Sequence, residues 1–343
     1  MAESSNRYTL QTSNPKQFDW YDPITQKITS ITVYQIKANA SFTPDNVMAP
    51  GIPVAENQLG GWIAGEANLD NTSASTAWVY DNALVFGNVV IKGNAVVTEN
   101  SIVYSTGSPG VGDTCATQVV GQAAILENAQ VGINCTVDGN AIVRNNGQLK
   151  DSSKLHDNAQ IMGNGIVQDS STVSGSVVID GSALVEDNCT ISGNVTLKGN
   201  CHVADGSKIE APGGLITISG SAQVIDFASI TTASSDDNVE ISEHALVNGV
   251  IKTGTKDNNP PTYQAPAISG QVKLSGNARV TGKVTMSGQA QMTENAQAEQ
   301  VNFDNIDATL TLQGSISISG NARAVGSNTF SSGSWGGNTV NGV

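Results

Sequence analysis

Aromatic side chains are scarce in this chain: Phe, Trp and Tyr make up 5% of its 343 residues. Charged residues are few as well, at 13%, while glycine reaches 36. A conventional packed domain of this length draws on more of both kinds of side chain. No run of about 18 apolar residues exists, which removes a membrane-spanning helix from consideration. Basic residues are also short, with 16 Lys and Arg against 30 Asp and Glu and a formal net charge of −14. Such a surface repels phosphate backbones and anionic lipid, so neither nucleic acid nor membrane is expected as a partner. The opening Met1-Ala2-Glu3-Ser4-Ser5-Asn6-Arg7 lacks the basic-then-apolar pattern of a secretory leader, and a cytoplasmic location is expected.

What the chain does have is a period of six. Gly121 to Glu210 divides into fifteen blocks of six, and the fifth place is Val, Ile or Leu in every one, from Ile125 and Val131 to Val203 and Ile209. Those residue types make up roughly a quarter of the chain, so chance agreement is on the order of 10⁻⁹. The third place is small or Val throughout, as at Ala123, Cys135, Gly147 and Ser171. Asn fills the second place in nine blocks, and Gly, Asp or Glu favours the first.

Places three and five lie two apart, so on a strand they face the same side. A small residue beside a large aliphatic one fills a narrow interior. Gly and Asn accept left-handed backbone angles, which a sharp corner requires. Three such blocks close a triangular coil, and coils stack about 4.8 Å apart. The expected fold is therefore all-β: a parallel β-solenoid, a left-handed β-helix with three six-residue faces per coil, plus an N-terminal capping segment. A right-handed parallel β-helix is the alternative, since right-handed crossovers are the general rule. Strict sixes favour the left-handed form.

Residues 1–76 lack the regular repeat and read as a cap with short strands, Tyr8-Thr9-Leu10 and Ile31-Thr32-Val33-Tyr34-Gln35-Ile36, punctuated by Pro15, Pro23, Pro44, Pro50 and Pro53. A cap is needed because an open solenoid end exposes unpaired strand edges. Gly60-Gly61-Trp62 and Trp78 are expected to seal the first coil. The solenoid is assigned to 77–325, with looped insertions at 105–120 and 252–269. Residues 326–343 form a Gly/Ser-rich tail, read either as a disordered end or as a C-terminal cap.

Thr32-Val33-Tyr34-Gln35-Ile36-Lys37-Ala38, Gly60-Gly61-Trp62-Ile63 and Ala77-Trp78-Val79-Tyr80-Asp81-Asn82-Ala83 resemble the opening of the YdcK-like hexapeptide-repeat proteins of bacteria and prophages. The likeness covers the first hundred residues with specific motifs and the later repeat more generically. It implies a left-handed β-helix. Members of that group are usually labelled transferases by analogy with hexapeptide acyltransferases, and a solenoid does not fix the chemistry.

Candidate chemistry is thin. An acyltransferase of this fold needs a His general base, and the chain has three His. His156 follows the inward Leu155 and faces out. His202 sits between Cys201 and Val203, again outward, with Glu186 and Asp205 near its block. His244 takes a place that Asn usually fills. His202 and then His156 are the catalytic candidates, against the plainer reading of solvated surface histidines. Acetyl-coenzyme A would be the cofactor only under that enzymatic reading; otherwise none is expected.

Cys135, Cys189 and Cys201 hold inward places. Cys135 and Cys189 should stand about 14 Å apart, beyond disulfide reach. No CxxC exists, and no metal is expected. Gly110-Val111-Gly112 continues without the glycines or Lys of a phosphate loop. A possible ice-binding ladder at Thr136, Thr172 and Thr190 is interrupted by Lys154 and Lys208.

Outward aliphatics form the last signal: Leu84, Val90, Val96 and Ile102 early, then Ile142, Ile166, Val178 and Leu184. They point to covered faces. The cap would cover the first group, and a homo-oligomer, preferably a trimer, the second. The leading expectation is a non-catalytic structural or interaction solenoid whose loops reach a protein or glycan partner, in a phage or prophage setting. Location in a phage particle, or non-classical export, goes with that setting. The acyl-coenzyme A-dependent acyltransferase is the runner-up, and a self-assembling filament subunit the third reading.

Overall fold

The computed structural model describes residues 6–22, 26–47, 52–107, 116–252, 262–299, 310–325 and 328–341. Among them every regular element is a strand except one 3-10 turn, Glu66–Asn68. The chain divides into two compact units, Met1–Ser170 and Ser171–Val343.

In the first unit the six-residue period becomes three stacked columns of parallel strands. One runs through Leu84–Phe86, Ile102–Tyr104, Gln130–Val131, Gln148–Leu149 and Ile166–Val167. The second runs through Trp78–Val79, Val96–Val97, Ala124–Ile125, Ile142–Val143 and Gln160–Ile161. The third joins Val89–Ile91, Thr117–Val119, Thr136–Val137 and Lys154–Leu155. In the regular coils each strand pairs with the one 18 residues on, and side chains such as Asn140 and Asn158 follow the same spacing. The chain is thus an all-β parallel solenoid with three six-residue faces per coil.

The fifth-place residues form the core. All fifteen from Ile125 to Ile209 have no exposed surface. The small third-place residues lie beside them: Ala123, Cys135, Ser153 and Ala159 are fully buried. Burial of this kind stabilises by about 25 cal/mol for each Å² of apolar surface removed from water.

Corners divide the labour differently from the expectation. The left-handed backbone falls mainly on the first place, at Gly121, Glu127, Gly139, Asn145, Asp157 and Gly163. Most second-place asparagines instead stack between coils. Asn140 Nδ2 donates to Asn158 Oδ1 at 2.9 Å, and Asn146 Nδ2 to Asn164 Oδ1 at 3.0 Å. One corner takes two consecutive left-handed residues, Asp151-Ser152 and Asp169-Ser170 in the first unit, Asp187-Asn188, Asp205-Gly206 and Asp226-Phe227 in the second.

The N-terminal segment is a longer structure than its sequence suggests. Strand β1 (Tyr8–Asp22) pairs antiparallel with β2 (Lys27–Ala38). Pro15 lies inside β1, where the register shifts between Gln11 and Lys16, so its missing N–H falls at an irregularity and leaves no gap in the ladder. Strand β3 (Leu59–Ile63) pairs antiparallel with β2 and parallel with Leu84–Phe86, so parallel stacking already begins there. A Cβ on Gly60 would stand 2.6 Å from the Val79 carbonyl oxygen, so only glycine lets β3 approach this closely.

Trp78 is fully buried at this junction, with Tyr8 and Phe42 edge-on at 6.3 and 5.3 Å. The Tyr8 hydroxyl donates to the Leu69 carbonyl at 2.9 Å, and Arg7 Nη2 to the Asp70 carbonyl at 2.6 Å. Trp62 is half-buried, with Lys16 over its ring at 5.4 Å. Val90 and Val96 are buried, while Leu84 and Ile102 are half-buried. Asn46 crosses the second column and donates to the carbonyls of Asn94 and Gln122.

The second unit repeats the three columns with uneven coils. Val203 pairs with Val224, Val224 with Val247, Val247 with Val280, and Val280 with Ala298. The described tail continues this stacking: Thr329–Trp335 pairs parallel with Leu310–Ile318, and Val340–Asn341 with Arg323–Ala324. Phe330 and Trp335 meet edge-on at 5.0 Å.

Candidate functional site

The first insertion, 105–120, is mostly outside the described residues, at 108–115. Thr117–Val119, at its end, is already back in the third column. The second insertion has a defined root. Val250–Lys252 and Thr262–Gln264 pair antiparallel as a separate two-stranded sheet, and Ala267–Ile268 then rejoins a column beside Ser229–Ile230. Residues 253–261 lie outside the described residues.

Each catalytic candidate is paired with a carboxylate from a neighbouring coil. His156 Nδ1 lies 2.8 Å from Asp138 Oδ1, and both side chains are partly exposed. The pairing follows from the repeat: Asp138 and His156 hold the sixth place one coil apart. That column relation would have revealed Asp138, which block-by-block reading missed. His202 Nε2 lies 2.8 Å from Glu186 Oε1. Among the described residues no hydroxyl or thiol hydrogen-bonds to either ring. Each pair can hold one imidazole tautomer in place. A base also needs a group to deprotonate within reach.

His244 lines a groove of about 500 Å³ with Gln223, Asn277 and Arg279. Arg279 and Gln223 share the column of His202, which pairs with Gln223 across the strands.

The three described cysteines are free and buried. Burial pushes the thiols of Cys135 and Cys189 up to about 12 and that of Cys201 up to about 11. They are therefore poor nucleophiles at neutral pH. Cys115 lies outside the described residues. Among the described residues no cluster of three or more His, Cys, Asp or Glu could hold a metal ion.

Asp226 has its carboxyl raised by burial and then by Asp205. It belongs to the two-residue corner column, beside the exposed Phe227. Among the described residues no helix is long and apolar enough to cross a membrane. No protein-family model matches the chain, and no curated protein matches it.

Proposed function

We propose that the chain is a non-catalytic structural or interaction solenoid that presents loops from a stiff coil. In this reading it assembles as a homo-oligomer, a trimer by preference, and belongs with the YdcK-like hexapeptide-repeat proteins in a phage or prophage setting. The observation that carries the reading is the antiparallel root of the second insertion, Val250–Lys252 against Thr262–Gln264, from which the chain leaves the columns and returns. A coil that only needed to close would not spend residues on a second sheet. Self-association is supported by Ile166 in the first unit and by Val178 and Leu184 in the second, outward aliphatics that their own unit leaves half-buried.

The test removes the insertion. Replacing residues 253–261 by Asn-Gly joins Lys252 to Thr262 through a two-residue turn that suits antiparallel strands. The shortened chain should keep its circular dichroism and melting temperature. Loss of folding would make the insertion part of the core and end the display reading. Sedimentation velocity decides the assembly: a monomer at every concentration removes the homo-oligomer.

The His202–Glu186 pair favours a second reading, an acyl-coenzyme A-dependent acyltransferase with His202 as base. That reading requires saturable binding of acetyl-coenzyme A and loss of turnover in His202→Ala. No change in melting temperature with acetyl-coenzyme A counts against it.

A further inference from the structure

The groove of about 500 Å³ on the second unit is lined by Ser221, Gln223, His244, Leu246, Asn277 and Arg279. Its size lies in the usual range of small-molecule sites, about 300–1,000 Å³. The repeat builds it. Gln223, Leu246 and Arg279 are strand neighbours in one column, and Ser221, His244 and Asn277 stand two residues before them at the corner. No lining residue is Asp or Glu, on a chain with 30 acidic residues against 16 Lys and Arg.

Arg279 supplies the charge. Its side chain is exposed and has neither a hydrogen bond nor an ion pair among the described residues. Arg323 differs, with Nη2 on Glu299 Oε2 at 2.8 Å. Glu299, on the rung that follows Arg279, is therefore already engaged. Glu243 and Glu294 stand one residue before His244 and Asn295 in the corner; both are exposed, and neither lines the groove. Asn277 Nδ2 donates to Asn295 Oδ1 at 3.1 Å and carries a second N–H. His244 offers a ring N–H in either tautomer. The backbone adds nothing, because all six lining residues donate their N–H to carbonyls of the following coil.

These features select a ligand class. A phosphate site draws on converging backbone N–H groups, and here every one is committed. A second negative charge would also meet Glu243, next to His244 in the chain. A neutral ligand gains nothing from the guanidinium charge. A carboxylate carries one charge and matches the planar Arg279 fork with two parallel bonds. Its remaining lone pairs suit the side-chain N–H groups of His244 and Asn277, and the rest of the ligand lies along Gln223 and Leu246.

We propose that the His244–Asn277–Arg279 groove is a binding subsite for the carboxylate group of a small ligand. It uses a coil face and neither insertion. Its failure would leave the results of loop excision and sedimentation as they stand.

The experiment is saturation-transfer NMR on the full chain at constant ionic strength, with acetate, glucuronate and N-acetylalanine as carboxylates and glucose as the neutral control. Inorganic phosphate is followed by phosphorus line broadening. At least one carboxylate should bind where glucose does not. A response to glucuronate alone assigns the carboxylate to a sugar acid, and a response to N-acetylalanine alone to a peptide terminus. Arg279→Gln should weaken binding at least about tenfold at an unchanged melting temperature, since the guanidinium has no protein partner. Lys208→Gln removes the same charge from another column and should leave binding as it was. Silence from every carboxylate, a response to phosphate alone, parental binding in Arg279→Gln, or equal losses in the two variants would overturn the proposal.

Discussion

Val143, Leu149 and Leu155 are three successive fifth-place residues, one on each face, and none has exposed surface. Around Leu149 the interior cannot close up easily, because a Cβ on Gly147 would already stand 2.9 Å from the Ile161 carbonyl oxygen. Leu149→Ala should therefore destabilise the first unit by about 3 kcal/mol, read as a lower urea midpoint. Phe227 presents the opposite case. It holds φ +61° while 40% exposed, in the corner column where Gly206 holds φ +68°. Phe227→Gly relieves a strained angle but removes the ring that packs over Gly206, so the two effects should offset to within about 1 kcal/mol, read as a melting temperature close to that of the parent. The thiols of Cys135 and Cys189 add a pH dependence. Their folded pKa, about 12, lies above the ordinary value of 9.0. The fold thus holds protons that the unfolded chain releases, and the resulting stability is complete below pH 9 and lost as pH rises toward 12. Denaturant titrations across that window should show the decline, flattened in a Cys135→Ala/Cys189→Ala double variant.

At the scale of the element, the fifth place was readable because one large aliphatic side chain every six residues has a single geometric use. The second place was harder. Asn is common in left-handed corners and also common in amide stacks, and sequence alone does not separate these uses. The coils use mostly the stack, as at Asn146 and Asn164. Asn146→Ala should cost about 0.5–1 kcal/mol, since the stack is exposed to water, and chemical denaturation would measure it. Strand β1 was legible only at Tyr8-Thr9-Leu10. Its remainder, through Pro15 and the polar run to Asp22, extends because β2 offers a continuous partner, and partners distant in sequence leave no local trace.

At the scale of the whole molecule, the solenoid could be read from the repeat, and the candidate sites only in part. His202 with Glu186 was within reach of a block reading, whereas His156 with Asp138 needed coil-to-coil alignment. The cleft that Trp20, Asp22 and Ser105 line had no signature at all. It arises where a non-repeating hairpin meets repeating coils, and neither pattern predicts the contact. The acidic balance, −14 overall, is spread along the chain without a block that would mark a partner.

The eighteen-residue spacing of the regular coils makes length a property that can change in whole units. Removing residues 139–156 fuses Asp138 to Asp157 and brings Ala159 and Ile161 to the positions that Ala141 and Val143 held. Every column keeps its register, as a ladder does when one rung and its share of the rails are taken out together. The shortened protein should fold with unchanged strand content by circular dichroism, whereas removing nine residues from the same place should leave it unfolded. Descendants of such a chain can grow or shrink by duplication or loss of a rung without inventing a new interior.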